Sequence, residues 1–479
     1  MLLNPNLHFQ NKFEVIKRLF VLSEEYKKYG LIHKSCISLI KGIRIDKNIT
    51  NLYLSLSLNL VGMGKADLAL KVLNEGLKID SRNIQLLNNK ANIFEKKGLI
   101  RSAIKIFKQI IQIEPKYFIT LFNLARIYRN LGEFKKSSKY FQRASKQKPN
   151  SLRVIFESNY VTKAKIKSEE LNRIVKMKPS DENKIYFHFL KGKIAFDNKK
   201  FGEEIKNLKI AHDLYFNYNT NFLDFNLKYE KKIQNIKSLT EHTRESKLSK
   251  KIYPIFIIGL PRSGSTLIEK IIHASKSKII SLEETQIFFN TLSKIESQNK
   301  KVRSINEIIH NYKKFKNFNF GYKFTDKSLE NFEFIDLINK TLPNAKIINC
   351  VRNPKDSIIS ILKNNLISVP WAHRIKDILK YFDRYYKIIN KFKFDNQDLI
   401  YNLRFEDLLK NPKIVTKEIF EFCDIEWTEK CMNFYKNKSY TQTTNNEQIR
   451  KPINSNNLFK YEEYNFVFAK IRKKFDWLR

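Results

Sequence analysis

The chain of 479 residues is 42% hydrophobic and 13% aromatic, which supplies more than one buried core and excludes a disordered chain. Its 90 Lys and Arg against 48 Asp and Glu leave a formal charge of +42, which favours anionic ligands, acidic polymers or membrane headgroups without choosing among them, and which AT-rich coding bias toward Lys, Asn and Ile explains equally well. The four cysteines, Cys36, Cys350, Cys423 and Cys431, make no CxxC pair and no cluster with histidine, so neither a disulfide framework nor a metal site is expected.

At the N-terminus, "MLLNPNLHFQNKFEVIKRLF" places Asn, Pro and His where a signal peptide needs an apolar run. No uninterrupted run of about 18 apolar residues follows anywhere, so a cytoplasmic setting without a transmembrane segment is expected. The next feature is a period. Gly30, Gly64, Gly98 and Gly132 stand 34 residues apart, with Ser35, Ala69, Ala103 and Ser137 five residues after them and Leu39, Leu73, Phe107 and Phe141 nine after them. Pro115 and Pro149 close two of the units. This spacing resembles the tetratricopeptide repeat, a helix-turn-helix unit that needs stacked neighbours to bury its apolar face. A weaker unit at 187–214, "FHFLKGKIAFDNKKFGEEIKNLKIAHDL", falls out of register. The expected first domain is therefore an all-α superhelix over 1–217. It serves either as a structural or dimerising arm, or as a concave surface for a peptide or an acceptor substrate. Residues 218–250 read as a charged helical connector.

From 251 to 479 the pattern alternates strand and helix, an α/β domain with a parallel sheet. "YPIFIIGL" is a continuous apolar run suited to a strand buried on both faces. "STLIEKIIHA" has helical periodicity, and Gly259-Leu-Pro-Arg-Ser-Gly264-Ser265-Thr266 joins the two. A strand, a glycine loop and a helix N-terminus in this order favour a bound anion. The spacing is that of a P-loop, with Ser265 where the lysine of a nucleotide-triphosphate loop would stand. Arg262 restores one cation, so the expected ligand is a terminal 5′-phosphate-like group held without an obligatory metal.

"PRSGSTLIEKII" followed by "SLEET" resembles the 5′-phosphosulfate loop of the sulfotransferases, above all the tyrosylprotein-sulfotransferase-like branch and its bacterial relatives with tetratricopeptide repeats. The resemblance implies 3′-phosphoadenosine 5′-phosphosulfate as donor, with Arg262, Ser263, Gly264, Ser265 and Thr266 around its 5′ end. It also implies a second anion site. In "AKIINCVRNPKDSIISILKN" the strand "KIINCV" precedes an Asn353 N-cap and Pro354, and Arg352 and Ser360 match the family's 3′-phosphate pair eight residues apart. By the same resemblance Glu284 is the general base, with Glu283 a support that is otherwise a solvated neighbour. Lys327, in "GYKFTDKSLENF", resembles the lysine that stabilises the leaving oxygen, and Arg450 and Lys451 in "NEQIRKP" resemble a closing segment over the donor. A histidine base, as elsewhere in the wider superfamily, would fall to His273 or His310.

Three positions depart from the relatives: Asn445 stands where serine is common, Phe405 where tyrosine is, and Gln286 where some tyrosyl-protein enzymes have arginine. Protein tyrosine is then one candidate acceptor beside glycans, lipids and small alcohols or phenols. Among rival functions, a P-loop phosphotransferase lacks its lysine, and a non-catalytic repeat scaffold leaves Arg262, Glu284, Lys327, Arg352 and Ser360 without a purpose. A nucleic-acid binder leaves the paired phosphate sites unexplained.

Overall fold

The computed structural model describes residues 5–162, 166–177, 180–298, 300–302, 304–316, 321–367, 369–392, 398–436, 440, 448–454 and 461–478. They divide into two units, Met1–Lys163 and Ala164–Arg479. The first is a run of helices: α1 (Pro5–Lys28), α2 (Ile32–Ile45), α3 (Thr50–Gly62), α4 (Ala66–Ile79), α5 (Ile84–Lys96), α6 (Ile100–Ile113), α7 (Phe118–Asn130), α8 (Phe134–Gln147) and α9 (Leu152–Thr162).

The 34-residue glycine register is the register of the turns. Gly30, Gly64, Gly98 and Gly132 follow α1, α3, α5 and α7 with φ of 74°, 72°, 74° and 75°. At the second of these, Gly64 N–H donates to Val61 O (3.0 Å) and Lys65 N–H to Leu60 O (2.8 Å), the five-to-two and six-to-one bonds of a Schellman ending. Left-handed φ at that site is what selects glycine. The next helix then begins at once and folds back. Ser35, Ala69, Ala103 and Ser137 lie fully buried where helices approach, and Ser137 Oγ donates to Ala125 O at 2.7 Å. Phe141 packs edge-on against Phe122, ring centres 5.8 Å apart, in a cluster with Leu121, Ala125, Ala144 and Val154. Burying one such ring stabilises the fold by about 1.5–3 kcal/mol.

The second unit opens with α10 (Ser168–Met177), α11 (Asp181–Asp197), α12 (Phe201–Tyr218) and α13 (Asn221–Thr240). The out-of-register unit is α11 and α12, and its turn has the same bonds as the others: Lys199 N–H to Phe196 O (2.9 Å) and Lys200 N–H to Ala195 O (2.8 Å). A lysine, Lys199, holds the left-handed position with φ 57°. α13 lies within the stretch read as a connector, and its Ile233 and Ile236 are buried.

Next comes a sheet of β1 (Tyr253–Gly259), β2 (Ile280–Ser281), β3 (Lys323–Asp326), β4 (Lys346–Val351) and β5 (Ile400–Arg404). The order is β2-β3-β1-β4-β5, and all four pairings are parallel. After its first residue β1 is buried throughout, as its unbroken apolar run requires. Helices α14 (Ser265–His273), α15 (Ile287–Ser297), α16 (Asn306–Lys316), α17 (Ile335–Thr341), α18 (Pro354–Leu362), α19 (Ile375–Lys391), α20 (Phe405–Lys410), α21 (Pro412–Phe422) and α22 (Asn465–Phe468) complete the unit. After β1 the chain builds β2 and then β3 on one side of it and β4 and β5 on the other, so the carboxyl ends of β1 and β4 form a switch point, where sheets of this kind bind ligands. All four cysteines are buried and free. Among the described residues no helix is long and apolar enough to cross a membrane.

Candidate active site

The glycine loop is shaped by its neighbours. At Gly259 (φ 139°) a Cβ would lie 2.5 Å from Cys350 O on β4, so the strands can pair here only around glycine. At Gly264 (φ 95°), the N-cap of α14, a Cβ would lie 2.4 Å from the ring of Phe405, which enters from the end of β5. Arg262 between them also holds a left-handed backbone, φ 74°. A non-glycine residue in this region stores strain that its surroundings must hold. Ser263 is buried, and its hydroxyl has no hydrogen-bond partner among the described residues.

The second motif converges on this loop. Asn353 caps α18, its side chain accepting from Lys355 N–H, with Pro354 as the first helical residue. Arg352, at the carboxyl end of β4, donates through Nη1 to Arg262 O at 2.9 Å, and Arg262 Nε donates to Ser360 Oγ at 2.9 Å. Three residues that lie up to 98 positions apart are thereby joined in one hydrogen-bonded set, Arg262 taking part through both its carbonyl and its side chain. The Arg352 guanidinium stacks over Phe405 at 5.0 Å and lies 3.9 Å from Asp356. Burial holds its proton affinity below the usual arginine range, opposed by Asp356 and Glu406.

Across the loop, the segments after β2 and β3 bring Glu284 and Lys327 together. Lys327 Nζ donates to Glu284 Oε1 at 2.5 Å. The lysine side chain is 5% exposed and the glutamate 62%, so a buried cation faces a carboxylate open to solvent. The backbone ties the two segments together through Lys327 N–H to Glu283 O (3.0 Å), Leu282 N–H to Thr325 O (2.9 Å) and Gln286 N–H to Ser328 Oγ (2.9 Å). Glu283 and Gln286 both have left-handed φ, 54° and 51°. Burial opposes the charge on Lys327, but Glu284 and Glu269 outweigh it and push the ammonium above the usual lysine range.

Two residues of this site were not singled out by sequence. Glu269 and Lys270 sit mid-helix in α14, and both are buried. Glu269 Oε2 lies 3.7 Å from Lys327 Nζ. Burial and then the charge of Arg450 push Lys270 down to about 8. A charged pair inside an otherwise apolar helix that follows a buried strand was the available signal, since such a helix packs on the sheet and has little solvated face.

The other candidates are placed as follows. Ser265 is buried and Thr266 half-buried at the start of α14. Arg450 is half-buried on the turn Gln448–Arg450, close enough to act on Lys270, whereas Lys451 is exposed. His273 is packed inward, Nε2 2.8 Å from Thr325 Oγ1, and His310 is exposed with Nδ1 2.8 Å from Asn306 O. Asn445 lies outside the described residues.

Residues 254–429 match the family model described as the Sulfotransferase family, and residues 96–154 match one described as the Tetratricopeptide repeat. The first span contains the glycine loop, the Arg352–Ser360 segment, Glu284 and Lys327, but not Arg450 or Lys451. An uncharacterized protein of Aquifex aeolicus (strain VF5) is 23% identical over 261 residues, covering 44% of this chain and only 30% of its own length. Among solved structures, the sulfotransferase domain of the Synechococcus PCC 7002 olefin synthase is 17% identical with a TM-score of 0.34, covering 46% of this chain and 90% of that one. Pseudomonas aeruginosa pilF is 16% identical with a TM-score of 0.33, over 41% and 90%.

Proposed function

We infer that this chain, which joins tetratricopeptide repeats to a sulfotransferase-family segment, moves a sulfuryl group from 3′-phosphoadenosine 5′-phosphosulfate to a hydroxyl acceptor. The observation that carries the reading is the joining of Arg262, Arg352 and Ser360 in one hydrogen-bonded set beside the glycine loop, with Lys327 and Glu284 across from it.

The residues fit a donor with phosphate at both ends of a nucleoside. Arg352 and Ser360 offer a planar fork and a hydroxyl, suited to a phosphate dianion. The loop offers the start of α14, the Arg262 side chain and the Ser263 hydroxyl, which has no partner among the described residues, suited to a terminal phosphosulfate. Arg450 and Lys451 stand as the candidates to close over it. When bound, the donor supplies the sulfuryl group: the acceptor oxygen bonds to sulfur as the S–O bond to the 5′-phosphate breaks, leaving adenosine 3′,5′-bisphosphate. Glu284, exposed at the mouth, takes the acceptor proton. Lys327, buried and charged, faces the oxygen that gains negative charge, a preorganised stabilisation that supplies a few kcal/mol in the transition state. The acceptor class spans protein tyrosine, glycans and small alcohols or phenols, and the repeats are the surface proposed to recruit it.

The test is a thermal shift with 3′-phosphoadenosine 5′-phosphate, compared with magnesium ATP and adenosine 5′-phosphate. Selective stabilisation by the bisphosphate, lost in both Arg262→Ala and Arg352→Ala, is expected. Equal or better stabilisation by ATP, or none by any ligand, sinks the reading.

A further inference from the structure

Lys327 has two carboxylates, and they differ in kind. Glu284 touches it at 2.5 Å from a position 62% exposed, whereas Glu269 stands 3.7 Å away and is 8% exposed. Glu269 is also anchored. Its Oε1 accepts from Ser281 Oγ at 3.1 Å and from Thr325 Oγ1 at 3.4 Å, at the ends of β2 and β3, which leaves Oε2 aimed at the lysine. One helical turn further on, His273 Nε2 bonds the same Thr325 hydroxyl at 2.8 Å. The other charges acting in this neighbourhood are Lys270, Glu283 and Arg450.

The difference matters once Glu284 acts. A base that takes a proton loses its charge, and a base that turns toward an acceptor leaves its former partner. Were Glu284 its one close carboxylate, either event would strand Lys327 as a buried ammonium, a costly state that a buried lysine relieves by losing its proton. A neutral amine cannot stabilise a departing oxyanion. Glu269 cannot turn away, because two hydroxyls on two strands hold it and burial shields it from solvent.

We propose that Glu269 is a positioning residue, the permanent counter-ion that keeps Lys327 charged and oriented while Glu284 is engaged by the acceptor. The role in turnover rests on the sulfotransferase reading; the role in holding the charge of Lys327 does not.

The test uses the full chain and Glu284→Gln, Glu269→Gln, Glu269→Asp and the Glu269→Gln/Glu284→Gln double variant. Trace acylation of lysines with acetic anhydride, read peptide by peptide across pH, reports when Lys327 becomes a free amine. Lys327 in Glu284→Gln should stay protected as in the wild type through about pH 10, while the double variant should react at least tenfold faster at pH 9. If Glu284→Gln alone exposes the amine as fully as the double variant does, Glu269 is not its counter-ion and the proposal falls. In turnover, Glu269→Gln should lower kcat on the order of 100-fold while bisphosphate affinity stays within about twofold, with partial rescue by Glu269→Asp. A parallel loss of affinity, melting temperature and kcat in Glu269→Gln would instead mark a purely structural residue and overturn the proposal. Absence of sulfuryl transfer by the wild type, with the acylation pattern intact, would sink the sulfotransferase reading and leave the charge-holding role of Glu269 standing.

Discussion

Gly264 shows how one residue couples the glycine loop to the segment that carries Arg352. A methyl group there would meet Phe405 at 2.4 Å, and Phe405 is the flat face under the Arg352 guanidinium. The sequence marked Phe405 as a departure because a phenylalanine cannot donate a hydrogen bond. The structure gives its ring a different task, closing one side of the loop and supporting a cation. Gly264→Ala is therefore strained twice, by a φ of 95° and by the ring. The expected cost is about 1–3 kcal/mol of stability, and bisphosphate affinity should fall tenfold or more because the displaced ring carries Arg352 with it. Calorimetric titration of Gly264→Ala, Phe405→Ala and the double variant checks this. If the strain is steric, Phe405→Ala should recover part of what Gly264→Ala loses, and strictly additive losses would show that the two residues do not communicate.

Among the elements, the turn between α11 and α12 is the one that sequence periodicity handled least well. Its Schellman bonds are those of the four glycine turns, but Lys199 replaces the glycine that marked them, so a search by glycine spacing loses the unit. Five residues on, where the other units have Ser or Ala, stands a buried glutamate: Glu204 meets Lys363 Nζ at 3.3 Å and Tyr464 Oη at 2.7 Å. What was a helix-packing position in the repeats has become a polar attachment to the end of α18 and the C-terminal segment. Strands β1 and β4, the loop and the N-cap of α18 were legible because each obeys a local rule: an apolar run, glycine spacing, Asn before Pro. Glu269 and Glu204 were not, because their roles depend on partners 58 and 159 residues away, and a glutamate in a helix reads as solvated until the partner is seen. Lys199→Gly supplies the residue the turn asks for. Relief of the left-handed backbone, worth about 1–2 kcal/mol, exceeds the entropic cost of glycine, about 0.5–1 kcal/mol, so a small net stabilisation is expected in urea melts. Destabilisation by this variant would show that the lysine side chain contributes more than its backbone costs.

At the scale of the whole second unit, α12 is tied to the segment after α18 by two buried histidines, and that tie sets a pH dependence. His212 Nε2 lies 2.8 Å from Leu362 O, His373 Nε2 lies 3.2 Å from Leu366 O, and the two Nδ1 atoms are 2.9 Å apart. Two neutral rings carry two N–H protons for these three contacts, so the shorter two take them and the contact to Leu366 goes without. Acid must add a third proton in a setting packed by the rings of Phe189, Tyr215 and Phe222. Burial pushes His212 down to about 4; burial and then the charge of His212 push His373 down to about 3. In the unfolded chain both titrate near about 6.5. Between those limits the unfolded state binds more protons, so stability is complete above about pH 6.5 and declines as the pH falls toward 4. For His212 alone the loss approaches about 3 kcal/mol at pH 4. The chain also gains positive charge on acidification, starting from +42, and that repulsion destabilises any variant equally. The informative quantity is thus a difference. His373→Asn places an amide N–H against His212 Nδ1 and removes one titrating ring, so its melting temperature should fall less steeply than that of the wild type between pH 6.5 and 4. The separation should grow by up to about 1.4 kcal/mol per pH unit. Parallel curves would mean that the pair keeps a shared proton through this range, with the aromatic rings and the Leu366 carbonyl stabilising the charge that burial opposes.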